Sequence, residues 1–458
     1  MKLSFYGGAM SVTGANYLLD IGSAKVLVDC GLYQGFKYAE ELNYGDFGYN
    51  PAEIDFVFLT HSHTDHIGRL PKLYKEGFRG KIYTTEPTKD LIVRALPDNW
   101  RLMTEEARAD DHKPLYEIED IEAVLKLIET VQYHKEIKLI SPNLSARFLN
   151  AGHILGSAII EIQCQNKKIV FTGDLGNSPS LLLPDKEFVN NVDFAVIESA
   201  YGNRVHENVE EKGKILRKVI KFVIEKRGTL MIPSFAIERT QEILFEINKL
   251  LQAKAIPRMS VFIDSPLAMK MTEAYVKHKS YLNEEARNFI SAGKNIFDFP
   301  GLRYTVTTDQ SKSINDAPSP KIIIAGSGMS NGGRILHHER RYLSDPNSAI
   351  VFVGFQVEGS LGRRILDSAD GVGVSSVNIF GDSIPINCLV KGIGGYSAHA
   401  DQLALVDWTR RAFEQKKPLG KVFVVQGEET SAKALAEAVK SQVGIEAIVP
   451  SPGEEFEL

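Results

Sequence analysis

Cysteine is scarce in this chain: three in 458 residues, Cys30, Cys164 and Cys388, far apart and with no CxxC pair. That spacing argues against a disulfide framework or a thiolate zinc site and fits a reducing, cytoplasmic setting. Long apolar runs are absent too. No stretch of about 18 apolar residues occurs, so no membrane span is expected. The start, "MKLSFYGGAMSVTG", meets glycines before an apolar core can form and does not read as a signal peptide. Positive charge is not in excess: the formal net charge is −5. A protein that coats nucleic acid is disfavoured, whereas an enzyme with its basic residues confined to one groove is not. No fixed-period repeat and no low-complexity linker appears. Histidine is also sparse, 11 in all, yet "THSHTDHIG" places His61, His63 and His66 with Asp65 inside six positions.

At this length two domains are expected, and 43% hydrophobic residues are ample for their cores. The first 200 residues carry short Val-, Ile- and Phe-rich runs: "KVLVDCG", "IDFVFLTH", "SARFLNAGH", "KIVFTGD" and "VDFAVIESAYG". Each reads as a buried strand, and each ends on Asp, His or Glu. Open sheets place ligands outside the carboxyl ends of their strands. Residues 89–135 read as mostly helical, including "EIEDIEAVLKLIETVQ". From about 206 the texture changes to βα alternation, with "TLMIPSF", "MSVFIDS" and "KIIIAGSG" as strands of a parallel sheet. After about 388 strand-like runs return, "CLVKGIGGYSAH" and "KVFVVQG". The βα segment therefore reads as an insert, giving boundaries of 1–206, 207–387 and 388–458.

In His61-x-His63, alternate residues of extended chain point the same way, so both imidazoles can hold one cation. Asp65 and His66 begin a helix and face a second position. Zinc takes nitrogen or carboxylate donors at about 2.0–2.2 Å, usually four of them. The hexapeptide can seed two such sites and complete neither. His153, in "NAGHILGS", would finish the first, and Asp174, in "FTGDLG", could bridge both. Alone, any one of these reads as a capping or surface group; together, at strand ends that favour buried apolar residues, they read as metal ligands. Asp29, after "KVLV", reads as the acceptor that orients a ligating imidazole. The loop "AGSGMSNGGRIL", with Gly326, Ser327 and Gly328, could offer backbone N–H groups to a phosphate. Arg239, Arg334, Arg363 and Arg364 are candidates to line an RNA groove. His112, His134, His206, His278, His337 and His338 read as surface residues.

Asp29, His61-x-His63-x-Asp65-His66, His153 and Asp174 resemble, in chain order, the four motifs of the metallo-β-lactamase fold. "VIESAYG", "IPSFAIERTQEIL", "IDSPLA", "IAGSGMSNGGRILHH", "GFQVEGSLGRRIL" and "GYSAHAD" resemble its β-CASP branch, RNA and DNA nucleases that include the nuclease subunit of the eukaryotic cleavage and polyadenylation factor and short bacterial relatives. The resemblance spans essentially the whole chain. It implies an α/β protein: an αββα metallo-β-lactamase sandwich built from both ends, with a parallel-sheet β-CASP domain inserted. It implies two Zn²⁺ ions, with His61, His63 and His153 on the first, Asp65 and His66 on the second, and Asp174 between. It makes Asp65, Asp174, Glu198 and His399 the catalytic set, with Glu198 and His399 beside the scissile phosphate and Ser397 touching it.

The family has a histidine of the second zinc where this chain has Gln426, in "VFVVQGEE", and no histidine follows His399. A glutamine carbonyl is a weaker zinc donor than imidazole. The second site is thus expected to be weakly filled, to take water, or to prefer a harder ion such as Mn²⁺. The expected function is metal-dependent hydrolysis of single-stranded RNA, internal or from the 5′ end. A weakened RNA-binding or scaffold relative, motivated by Gln426, and a small-ester or thioester hydrolase are the alternatives. Some members of the family dimerise; the sequence leaves a homodimer open.

Overall fold

The apolar runs of the amino-terminal half become strands because alternate residues can be buried on one face while the other packs elsewhere. A computed structural model describes the chain except residues 36–37, 110–111, 140–143, 207–208, 355, 372 and 416–419. The described residues divide into two units, Met1–Val205 with His399–Leu458, and His206–Ala398.

The first unit holds two seven-stranded sheets. One runs in the order Glu455–Glu457, Lys2–Gly7, Asn16–Asp20, Lys25–Val28, Phe56–Phe58, Lys81–Thr85, Ile128–Val131. The other runs Glu446–Ile448, Lys421–Val425, Phe194–Glu198, Lys167–Phe171, Ala158–Cys164, Leu144–Asn150, Glu136–Lys138. Their facing sides form one core: Phe5, Val26, Val28, Phe56 and Phe58 pack with Phe148, Ile160, Ile162, Phe171, Phe423 and Val425. The opposite face of the second sheet, through Ile159, Val170, Ala195, Ile197 and Val424, is covered by Leu405 and Trp408 of helix Gln402–Phe413 and Leu435 and Val439 of helix Glu429–Val443. The Asp401 carboxylate caps the first of these helices by accepting from the Ala404 N–H, and Gly444, left-handed at φ 77°, ends the second.

The second unit is built on a six-stranded, all-parallel sheet in the order Leu302–Tyr304, Ser260–Asp264, Lys321–Ala325, Thr229–Pro233, Ala349–Phe352, Leu389–Gly392. Thr229–Pro233 and Lys321–Ala325 are buried at every position, as expected where helices cover both faces of a parallel sheet. The run after 388, expected to rejoin the first domain, instead pairs with Ala349–Phe352 as an edge of this sheet; the chain returns to the first unit at His399. Two other expectations change. The helical reading through "EIEDIEAVLKLIETVQ" stops at Lys126, and Ile128–Val131 is a strand paired with Lys81–Thr85. His278 and His338, expected at the surface, are buried, and His338 Nε2 bonds Asp264 at 2.8 Å.

Candidate metal centre

Strand order brings the chemistry-bearing residues to one edge. Lys25–Val28 lies parallel to Phe56–Phe58, and Lys167–Phe171 and Lys421–Val425 both lie parallel to Phe194–Glu198. Asp29, His61, Asp174, Glu198 and Gln426 therefore all stand at or just beyond carboxyl ends. His153 lies in the turn between two antiparallel strands, Leu144–Asn150 and Ala158–Cys164. The loop carrying His61 and His63 runs into a short helix, Thr64–Ile67, as expected for Asp65 and His66.

His61 Nε2 lies 3.0 Å from His63 Nδ1, which lies 3.2 Å from His153 Nε2. Asp174 Oδ2 is 3.5 Å from His61 Nε2 and 3.4 Å from His153 Nε2. A regular tetrahedron with legs of about 2.0–2.1 Å has edges of about 3.3 Å, and these four separations are close to that edge. They converge within 4.8 Å of one another. Burial, with the neighbouring imidazoles, pulls His61 well below the usual imidazole pKa, which keeps its ring neutral, the form that ligates. The residues fit one divalent cation.

Behind them, Asp29, left-handed at φ 60°, accepts from Thr60 N–H at 2.8 Å, Thr60 Oγ1 at 2.7 Å and His66 Nδ1 at 2.7 Å. The acceptor expected to orient a ligating imidazole thus contacts His66 directly and reaches His61 only through Thr60. Thr60, which the sequence reading passed over, also lies 3.0 Å from His61 Nδ1; its place immediately before His61 was the available signal.

The second position is different. His66 Nε2 lies 3.6 Å from Asp65 Oδ2 and 3.5 Å from Asp174 Oδ1. Burial works against charge on His66, but Asp174, Asp29 and Asp65 hold its pKa well above the usual value. Where a fourth donor would complete a site stands the Gln426 amide nitrogen, 3.0 Å from His66 Nε2 and 3.4 Å from Asp65 Oδ2. The same nitrogen donates to the Val12 carbonyl at 3.1 Å. Among the described residues, Asp65, His66 and Asp174 do not form a converging donor group as the first four do. Asp65, His66 and Gln426 thus do not fit a second cation at this position; the other converging group is Asp174 with Glu198 and His399, beside the first site.

Glu198 and His399 meet as expected: His399 Nδ1 is 3.0 Å from Glu198 Oε2, and the other Glu198 oxygen accepts from Leu175 N–H at 2.5 Å. His399 Nδ1 is 3.8 Å from Asp174 Oδ2, and its ring centroid is 4.6 Å from that of His153. Burial opposes charge on His399, but Glu198, then Asp174 and Asp65, raise its pKa to about 9.

The residues expected to contact RNA lie in the other unit and are differently employed. Arg239 is buried and paired with Glu242 rather than lining a surface groove. Arg334 bonds Asp264, Thr305 O and Val306 O, and Arg363 bonds Asp367 at 2.7 Å; both keep partial exposure. Arg364 is exposed. The glycine-rich loop folds on itself: Ser327 N–H donates to Gly332 O, Ser330 N–H to Ser327 O, and Ile335 N–H to Gly326 O. Gly328 O accepts from Gln356. Of the N–H groups expected to face a phosphate, that of Ser327 is thereby used within the loop. Ser397 is buried, its N–H on Gly394 O.

The αββα layers and the histidine–aspartate cluster define a metallo-hydrolase. Family models match along the chain: a metallo-beta-lactamase superfamily domain over residues 18–196, a Beta-Casp domain over 240–365, and a Zn-dependent metallo-hydrolase RNA specificity domain over 383–450. The chain is 37% identical over 448 residues to Ribonuclease TTHA0252 of Thermus thermophilus, covering 96% of itself and 100% of that protein. It is 31% identical to an RNase J-like protein of Methanocaldococcus jannaschii, covering 98% of each. It is 30% identical to Transcription termination factor FttA of Methanosarcina mazei, covering 97% of itself and 70% of that protein. The chain belongs to the β-CASP family of metallo-β-lactamase-fold ribonucleases.

Proposed function

We propose that this protein hydrolyses phosphodiester bonds of single-stranded RNA with one divalent metal, zinc in the first instance, held by His61, His63, His153 and Asp174. The observation that carries the reading is the four-donor cluster with the Glu198–His399 pair beside it. A divalent metal held by these four residues would supply Lewis acidity, lowering the pKa of a bound water toward neutral and offsetting phosphoryl charge.

The protein's own groups do the rest. Asp29 and Thr60 fix His61 and His66 in place. Asp65, whose side chain is 19% exposed, is placed to accept a hydrogen bond from the attacking water and align it. Glu198 holds His399 through Nδ1, so that His399 Nε2 would hand its proton to the departing oxygen. Small esters with good leaving groups do not need that proton, which favours a phosphodiester. Arg334, Arg363 and Arg364 are the candidates for contacts with the RNA backbone.

The test is a substrate panel: 5′-labelled single-stranded RNA with mono- or triphosphate ends, single-stranded DNA, a thioester and a lactone. RNA should be cut, chelation should stop it, and His399→Ala should slow it by about 10²–10⁴-fold. Turnover of the thioester or lactone with RNA left intact would replace this reading with small-molecule hydrolysis.

A further inference from the structure

The Gln426 side chain sits deep in the first unit, and the Val12 carbonyl orients its amide. The Val12 carbonyl, 3.1 Å away, accepts an N–H and repels a carbonyl oxygen. The nitrogen therefore faces Val12, and with it Asp65 Oδ2 and His66 Nε2. Asp65 and Val12 supply acceptors for the two amide hydrogens. Oε1 faces the other way. It has no hydrogen-bond partner among the described residues, nor does the Tyr17 hydroxyl. Both converge above Gly8, where any side chain would collide with them and where φ is +68°. A cavity of about 10 Å³ is lined by Tyr17, Asp29, Thr60, His66 and Gln426, among others. That is room for about one water.

We infer that the metal centre of this protein is mononuclear: the Gln426 carboxamide closes the second position, its N–H₂ end standing among Asp65, His66 and Val12 where relatives of the family place a metal-ligating histidine. This deepens the proposed function and rests on its reading of His61, His63, His153 and Asp174 as the one remaining site. To ligate through Oε1, the amide would have to turn over, setting two acceptors against each other at Val12. One amide hydrogen points at Asp65 Oδ2, and the nitrogen itself stands 3.0 Å from His66 Nε2, the two atoms a second ion would need. A neutral donor group thus takes the place of a cation beside three carboxylates, Asp29, Asp65 and Asp174.

The experiment counts metal. The intact protein is saturated with Zn²⁺, and separately with Mn²⁺, desalted, and weighed by native mass spectrometry alongside elemental analysis. Wild type should hold one ion per chain, His61→Ala none, and Gln426→His two. Cobalt titration gives a second readout: the ligand-field absorption of wild type should saturate at one equivalent, and that of Gln426→His at two. Two tightly held ions in wild type overturn the inference, and so does a folded Gln426→His protein that still holds one. RNA cleavage is assayed on the same samples. Two ions with cleavage sink the mononuclear centre and leave the function standing; one ion without cleavage of any RNA does the reverse.

Discussion

Glu339 shows how one buried residue outside the metal centre sets a pH dependence. One of its carboxyl oxygens accepts from Ser330 Oγ, and the other has no partner among the described residues. Burial pushes its pKa up to about 8, against the pull of the Ser330 hydrogen bond. The native state then keeps a proton that the unfolded chain releases above the usual 4.5. Between these values the native state binds more protons, so stability is lost as pH rises from about 4.5 to 8. Glu339→Gln, neutral and of the same shape, should be more stable than wild type by roughly 1–3 kcal/mol at about pH 8 and no better near pH 4. Denaturant midpoints at the two pH values check it; parallel curves would refute it. That His61, His63, His153 and Asp174 come together was legible because such residues at the ends of apolar runs have no cheaper explanation. His338 was not: its partner Asp264 is 74 positions away, and nothing local marks it as buried. Arg239 misled for the opposite reason, since a charge at the start of a helix looks solvent-facing until its buried partner Glu242 is seen.

Elements position the site through close backbone contacts rather than through the ligands alone. The segments before Asn16–Asp20 and after Lys25–Val28 are laced to the loop and helix carrying His61 to His66: Cys30 N–H donates to His66 O at 2.8 Å, Leu32 N–H to Thr64 O at 3.0 Å, and Ala15 N–H to Asp65 O at 2.9 Å. A methyl group at Gly31 would strike the Asp65 carbonyl, and neighbouring backbone cannot yield cheaply. Gly31→Ala should therefore weaken metal binding by an order of magnitude or more without changing any ligand, as read by competition with a chelating dye. Unchanged affinity would show that the loop tolerates displacement. Strand identity was readable because each run is short, apolar and ended by a turn signal. Sheet membership was not: Leu389–Gly392 has the same apolar texture whichever sheet receives it, and only its pairing with Ala349–Phe352 decides.

For the whole molecule, the metal is expected to act as a ligand of the native state. Three imidazoles and Asp174 are held with their donor atoms 3.0–3.5 Å apart, and an ion among them offsets the repulsion of their lone pairs. Saturation at 100 times the dissociation constant should stabilise the fold by about 2.7 kcal/mol. Chelation should lower the unfolding temperature, and His153→Ala should be indifferent to both treatments. The described helices include none long and apolar enough to cross a membrane. The αββα layers and the insert followed from the resemblance and the βα texture, whereas the closure of the second metal position by Gln426 depends on which way one amide faces, which no sequence pattern records. The most direct measurement follows cleavage of labelled single-stranded RNA as metal-free protein is titrated with Zn²⁺ or Mn²⁺, in wild type and His153→Ala. Cleavage should be absent without metal, rise to a plateau at one equivalent, and be lost in the variant. RNA left intact by protein shown to hold its metal, or cut equally fast by His153→Ala, would contradict it.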